Sequence, residues 1–235
     1  MLIRQLFDHQ TYTYTYLLAD TNTREALLID PVIDHLDSYI RLLTELNLEL
    51  KMAIDTHVHA DHVTALGKLR EVTQCKTYLG VENEVQCSDS ALSDNQILKI
   101  GKYELQVIYT PGHTDNSFCF YLDSGDNRYL FSGDTLLIRG TGRTDFQNGN
   151  PLDLYNSIHN RLLTLPANTI VYPGHDYKGW TSSNIEEEKN HNPRLQIHPI
   201  EKFKAHMDQL NLPNPKFMDV AVPANLACGA KDSSK

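Results

Sequence analysis

The period of the hydrophobic pattern changes repeatedly along the chain, and each change marks an element. LIRQLF at residues 2–7 reads as a strand, TYTYTYLLAD at 11–20 as a second with period-two character, and EALLIDP, beyond a tight polar turn at 20–24, as a third. These form an antiparallel meander. The Thr/Tyr run is read as an amphipathic strand rather than an aromatic binding strip. Leu36, Ile40, Leu43 and Leu46 then recur at helical spacing behind Asp34, a residue type suited to the N-cap, and KMAIDT follows as a buried strand. A helix is expected from 61 to about 72, then KTYLG as a strand. A second meander runs through ILKI, YELQVIYT, SFCFYLD and RYLFSG, two of its strands stopped by Pro111-Gly112 and Ser132-Gly133. A helix at 152–163, the strand NTIVYP and a polar helix beginning near Ser182 complete the pattern. The order predicts an α/β architecture of two sheets enclosed by helices, as one domain over 1–228 with a disordered tail at 229–235.

Composition narrows the function. With 235 residues, 40% of them apolar, the chain can build a sizeable core. Twenty-one basic against 30 acidic residues give a formal charge of -9, which disfavours nucleic acid as a partner. No apolar run approaches the roughly 20 residues needed to span a bilayer, and MLIRQLFDHQ lacks a signal-peptide core, so the expectation is a cytoplasmic protein without membrane attachment. Cys75, Cys87, Cys119 and Cys228 make no CxxC pair, and all four are expected as reduced, mostly buried thiols.

Candidate chemistry is concentrated in THVHADHV at residues 56–63. His57 and His59, two apart, face one side of an extended segment, and Asp61 and His62 stand at the expected helix start. Three later stations share the logic: His113 in TPGHT, Asp134 in FSGDT and His175 in YPGHD each follow a strand and a glycine, where the backbone can turn sharply. Five histidines and two aspartates of this kind are metal-ligand chemistry. The other histidines, His9, His35, His159, His191, His198 and His206, have no such setting.

HxHxDH followed by GH, GD and GH resembles the metallo-β-lactamase superfamily, over nearly the whole chain. LLIDP, GDTLLIRGTGRTDFQ, PGHDYKG, EEEKNHNPRL and the closing VPANLACG sharpen this to the persulfide dioxygenase family, relatives of the glyoxalase II thioesterases. The resemblance implies an αββα sandwich of two mixed sheets. The superfamily pattern would allow two metals, with His57, His59 and His113 on one, Asp61, His62 and His175 on the other, and Asp134 bridging. The dioxygenase resemblance implies instead a single Fe(II) held by His57, His113 and Asp134, with His59, Asp61, His62 and His175 orienting ligands and water. The ligand set by itself fits either arrangement.

The resemblance also places Arg143 and Arg194 near the substrate, where glutathione carboxylates need charge-assisted partners, and makes Tyr177 a tyrosine that reaches towards the metal. Thr114 could contact substrate or fix its own loop, and Asp145 could pair with Arg143. Thr141 stands where some relatives carry cysteine, and Asp115-Asn116 departs from the usual turn after GHT. The implied reaction is oxidation of glutathione persulfide by oxygen and water to glutathione and sulfite. Homodimers are implied, and with no rhodanese-like extension any sulfurtransferase partner would be a separate chain. The competing readings are a dinuclear-metal glutathione thioester hydrolase of the glyoxalase II type and a non-catalytic metal-dependent binding protein.

Overall fold

The computed structural model describes residues 1–80, 89–215 and 217–229. These form two compact units, one of Met1–Leu92, Lys99–Tyr103 and Asn214–Lys235, the other of Ser93–Leu98 and Glu104–Pro213.

In the first unit the expected meander is present. β1 (Leu2–Phe7), β2 (Tyr14–Ala19) and β3 (Glu25–Ile29) pair antiparallel, and β4 (Glu49–Ile54), β5 (Lys76–Leu79) and β6 (Ser90–Ala91) extend the sheet in parallel. β2 is buried on both faces, not amphipathic as its alternation suggested. Its one threonine, Thr15, tolerates this because its Oγ1 donates to the Asp30 carbonyl at 2.7 Å. Helix α1 (Leu36–Glu45) follows a 3-10 turn at Ile33–His35, so Asp34 lies inside that turn and does not cap the helix.

Helix α2 (Leu66–Thr73) begins five residues later than the pattern suggested. The backbone just before it is committed elsewhere: Ala65 N–H donates to the Pro31 carbonyl at 2.7 Å, and the Val63 carbonyl accepts from Ile33 N–H at 2.9 Å. The histidine-rich segment is therefore a loop held against residues 31–33. The core here gathers Leu17, Leu28, Tyr39, Leu43, Leu66 and Leu69, and it includes Cys228.

In the second unit the strands form one six-stranded sheet. β8 (Tyr103–Tyr109), β9 (Phe118–Asp123) and β10 (Arg128–Gly133) continue from β7 (Ile97–Ile100), and β11 (Ile170–Pro173) lies parallel to β10, with β12 (Ser183–Asn184) beside it. Asn150 caps α3 (Pro151–Ser157), which runs on as a π-helical turn at Ile158–Leu162. Asn184 caps α4 (Ile185–His191) by accepting from Glu187 N–H at 2.8 Å. Leu130, Leu154, Ile158, Val171 and Phe203, the last from α5 (Ile200–Asp208), fill the core.

Both α5 and α6 (Met218–Leu226) escaped the sequence reading, α6 because Pro223 interrupts a run that is apolar all round. Cys75 and Cys119 are buried thiols as expected, whereas Cys228 is disulfide-bonded, which sparse spacing along the chain cannot reveal. Cys87, like residues 230–235 of the expected tail, lies outside the described residues. Among the described residues no helix is long and apolar enough to cross a membrane.

Candidate metal centre

In the first unit the histidine loop leaves the end of β4 and is organised by Asp30 from the end of β3. This carboxylate is buried and accepts Thr56 N–H at 2.7 Å, Thr56 Oγ1 at 3.0 Å and His59 Nε2 at 3.0 Å. Asp30 cannot donate, so the Thr56 hydroxyl spends its proton there. The 2.9 Å contact between Thr56 Oγ1 and His57 Nδ1 then requires His57 to be the donor, which puts the His57 lone pair on Nε2. His59 has the opposite arrangement, with Nε2 committed to Asp30. Asp61 Oδ2 lies 3.0 Å from His62 Nδ1, and donor atoms of His59, Asp61 and His62 lie within 4.8 Å of one another.

Burial pushes the Asp55 carboxyl up to about 8, with His59 opposing and Asp30 reinforcing the rise. Burial alone would lower His59, but Asp30, then Asp55 and Asp61, lift it to about 9. Asp30 thus holds Nε2–H of His59 and favours the charged form of the ring.

In the second unit His113, Asp134 and His175 come together after β8, β10 and β11. His113 Nδ1–H donates to the Arg143 carbonyl at 2.8 Å, so Nε2 carries the lone pair, and that nitrogen lies 3.6 Å from Asp134 Oδ2. His175 Nδ1–H donates to Asp134 Oδ1 at 2.7 Å and fixes the rotation of the carboxylate. An imidazole lone pair facing a carboxylate oxygen is an electron-rich pair that a cation between them would satisfy. Gly142 closes against this group: a Cβ there would sit 2.7 Å from His113 Nδ1 and 2.4 Å from the Asp134 carbonyl oxygen. Only glycine fits that approach.

The loop carrying Gly142 is braced from α4. Glu188, fully buried, pairs with the Arg139 guanidinium and accepts Arg139 N–H at 2.8 Å, Asn192 Nδ2 at 2.9 Å and Ser183 Oγ at 2.7 Å. Asn192 also donates to the Gly140 carbonyl at 3.0 Å. Arg194 Nη1 donates to the Thr141 carbonyl at 2.6 Å and its hydroxyl at 2.9 Å, leaving Nε and Nη2 without a partner among the described residues. Burial holds its pKa below the usual arginine value. EEEKNHNPRL thus supplies a clamp as well as an arginine.

The remaining expected residues differ in setting. Arg143 closes its fork on Asp145 at 2.6 and 2.7 Å, as the sequence suggested, and also donates to the Pro213 carbonyl at 2.6 Å. Thr114 is fully buried, its hydroxyl on Ser117 Oγ at 2.7 Å, which fits loop fixing. Tyr177 is 65% exposed and lies parallel to His175, with ring centroids 6.1 Å apart.

Four residues that matter here carried no role in the sequence reading: Asp30, Asp55, Glu188 and Asn225. All are buried polar groups. Asp30 and Asn225 fall within LLIDP and VPAN, and Glu188 within EEEKNHNPRL, so motif membership was their signal.

Two sheets with helices, histidine and aspartate stations at strand ends, and a match of residues 10–175 to the metallo-β-lactamase superfamily model place the chain in that superfamily. The persulfide dioxygenase ETHE1, mitochondrial, of Mus musculus is 44% identical over 98% of this chain and 90% of its own. The crystal structure of ETHE1 from Myxococcus xanthus has a TM-score of 0.93 and 51% identity, covering 98% of this chain and 100% of that one. Within the superfamily, then, the chain belongs to the persulfide dioxygenases. A probable hydroxyacylglutathione hydrolase of Schizosaccharomyces pombe is more distant, at 33% identity over 82% of this chain and 74% of its own.

Proposed function

We propose that this dioxygenase converts glutathione persulfide, oxygen and water to glutathione and sulfite at one iron held by His57, His113 and Asp134. The observation that carries the ligand set is the matched tautomers: His57 and His113 both spend Nδ1–H on the protein and turn Nε2 outward, whereas His59 spends Nε2 on Asp30. Two neutral imidazoles and a carboxylate are the donor set suited to Fe(II) with open positions. Bound there, Fe(II) supplies the redox chemistry by which oxygen reacts with a closed-shell sulfur anion.

The chain's own residues supply position and charge. Arg194 offers Nε–H and Nη2–H to a glutathione carboxylate, a planar two-donor match. Arg143 would engage a second carboxylate by sharing its fork with Asp145. Tyr177, next to the His175 ring, would donate its O–H to the reacting end of the persulfide. His175 holds Asp134 in rotation, while His59, Asp61 and His62 shape the loop that carries His57. Both oxygen atoms pass to the outer sulfur, water cleaves the sulfur–sulfur bond, and glutathione leaves as the thiolate. Holding both reactants side by side is a proximity effect.

This reading takes residues 1–228 as one working domain in a cytoplasmic homodimer, with no nucleic acid or membrane partner and any sulfurtransferase as a separate chain. The runner-up, a dinuclear thioester hydrolase, draws on the His59, Asp61 and His62 group and on the hydroxyacylglutathione hydrolase relative. An oxygen electrode separates them. One sulfite and one glutathione per oxygen consumed supports the proposal; hydrolysis of lactoylglutathione with no oxygen uptake from the persulfide rejects it.

A further inference from the structure

The histidine loop is held from the far end of the chain. Asn225 in α6 is 1% exposed, and its side chain makes three hydrogen bonds among the described residues, every one to that loop's backbone. Its Nδ2 donates to the His59 carbonyl at 2.8 Å and to the His62 carbonyl at 2.8 Å, and its Oδ1 accepts Thr64 N–H at 2.8 Å. Neighbouring backbone joins the contact: Gly67 N–H donates to the Cys228 carbonyl at 2.9 Å, and Gly229 packs so closely that a Cβ would lie 2.0 Å from the Thr64 carbonyl oxygen. Residues 59–64 form no helix of their own, so their carbonyls need partners from elsewhere. One amide side chain meets two acceptors and one donor with its two donors and one acceptor, a complete match that no other neutral side chain of that length provides.

Resting on the proposed metal site, we infer that Asn225 is a positioning residue for the metal centre: it sets the path of residues 59–64 and thereby the direction in which His57 presents Nε2. The C-terminal segment is on this account part of the catalytic apparatus although it carries no chemistry.

The test compares Asn225→Ala and Asn225→Asp with Leu43→Ala, a core truncation in α1 chosen to lower stability without touching the loop. Asn225→Asp is isosteric and keeps the Thr64 acceptor while losing both donors, so it carries the test if the alanine variant does not fold. Three quantities are read: iron released from the holoprotein to a chelator, the visible spectrum of the cobalt(II)-loaded protein, and kcat against KM. Both Asn225 variants should release iron on the order of 10-fold to 100-fold faster than wild type, shift the cobalt bands and lower kcat with KM near wild type. Leu43→Ala should lower the melting temperature and leave all three unchanged. Asn225 variants that match wild type, or that match Leu43→Ala at equal stability, overturn the inference, as does a failure of both to fold while Leu43→Ala folds. Wild-type protein that holds no metal against the chelator would instead reject the proposed function, and the inference with it.

Discussion

Removing the Asp30 carboxylate tests the tautomer account at its source. In Asp30→Ala three donors lose their acceptor, at 2.7, 3.0 and 3.0 Å, and a protonated His59 is left buried with its nearest counter-charge gone. A hydrogen bond to a charged group contributes about 1.5–3 kcal/mol, but three on one carboxylate are not additive. Breaking one side of a buried charged pair costs about 3–5 kcal/mol, and we take that as the expected loss. At about 2–4 °C per kcal/mol for a chain of this size, the melting temperature falls by about 6–20 °C. Asp30→Asn keeps an acceptor for Thr56 N–H and tolerates the φ of 52° at this position, but it presents a donor or a weaker acceptor to His59. Its loss should be smaller, about 1.5–3 kcal/mol. Urea unfolding of metal-free protein, followed by circular dichroism, measures both without the contribution of a bound ion. A loss below about 1 kcal/mol in Asp30→Ala, or an Asn variant as damaged as the Ala variant, would refute the assignment of Asp30 as the acceptor that orders His57 and His59.

Three further outcomes are expected. His57→Ala and His113→Ala should lose metal and activity together, whereas His59→Ala should lose on the order of 10-fold to 100-fold in rate or affinity; equal metal loss in all three would favour the two-metal pattern. Arg194→Ala should raise KM for glutathione persulfide by an amount equivalent to about 1.5–3 kcal/mol with metal content unchanged, and Arg143→Ala, whose fork is shared with Asp145, should raise it less; an unaltered KM in Arg194→Ala would assign that residue to its loop carbonyls alone. Burial, aided by His198, holds His159 down at about 4, below its unfolded value of 6.5. The stability linked to its neutral form is complete above about pH 6.5 and is lost as pH falls towards 4; His159→Phe should flatten that acid limb, and an unchanged limb would show that His159 plays no part in it.

Elements governed by local period were legible: the strands of both meanders, β4, β5 and β11, and the amphipathic stripe of α1 lie where the pattern put them, to within three residues at either end. What failed was decided by distant partners. Residues 61–65 resemble a helix start, yet their backbone bonds run to residues 31–33 and to Asn225. For the site, GH and GD after strands found His113, Asp134 and His175, because a glycine at a strand end is a local signal for a projecting side chain. Asp30 and Asn225 gave no such signal, since their meaning lies in groups 26 to 166 residues away along the chain. The clamp of Glu188 on Arg139 and Asn192 was hidden in the same way, a buried carboxylate inside what reads as a solvated helix start.

Elemental analysis of protein purified without added metal gives the number and identity of its metals. One iron per chain, lost when His57 or His113 is replaced, is the expected result. Two zinc ions per chain in fully active protein would contradict it.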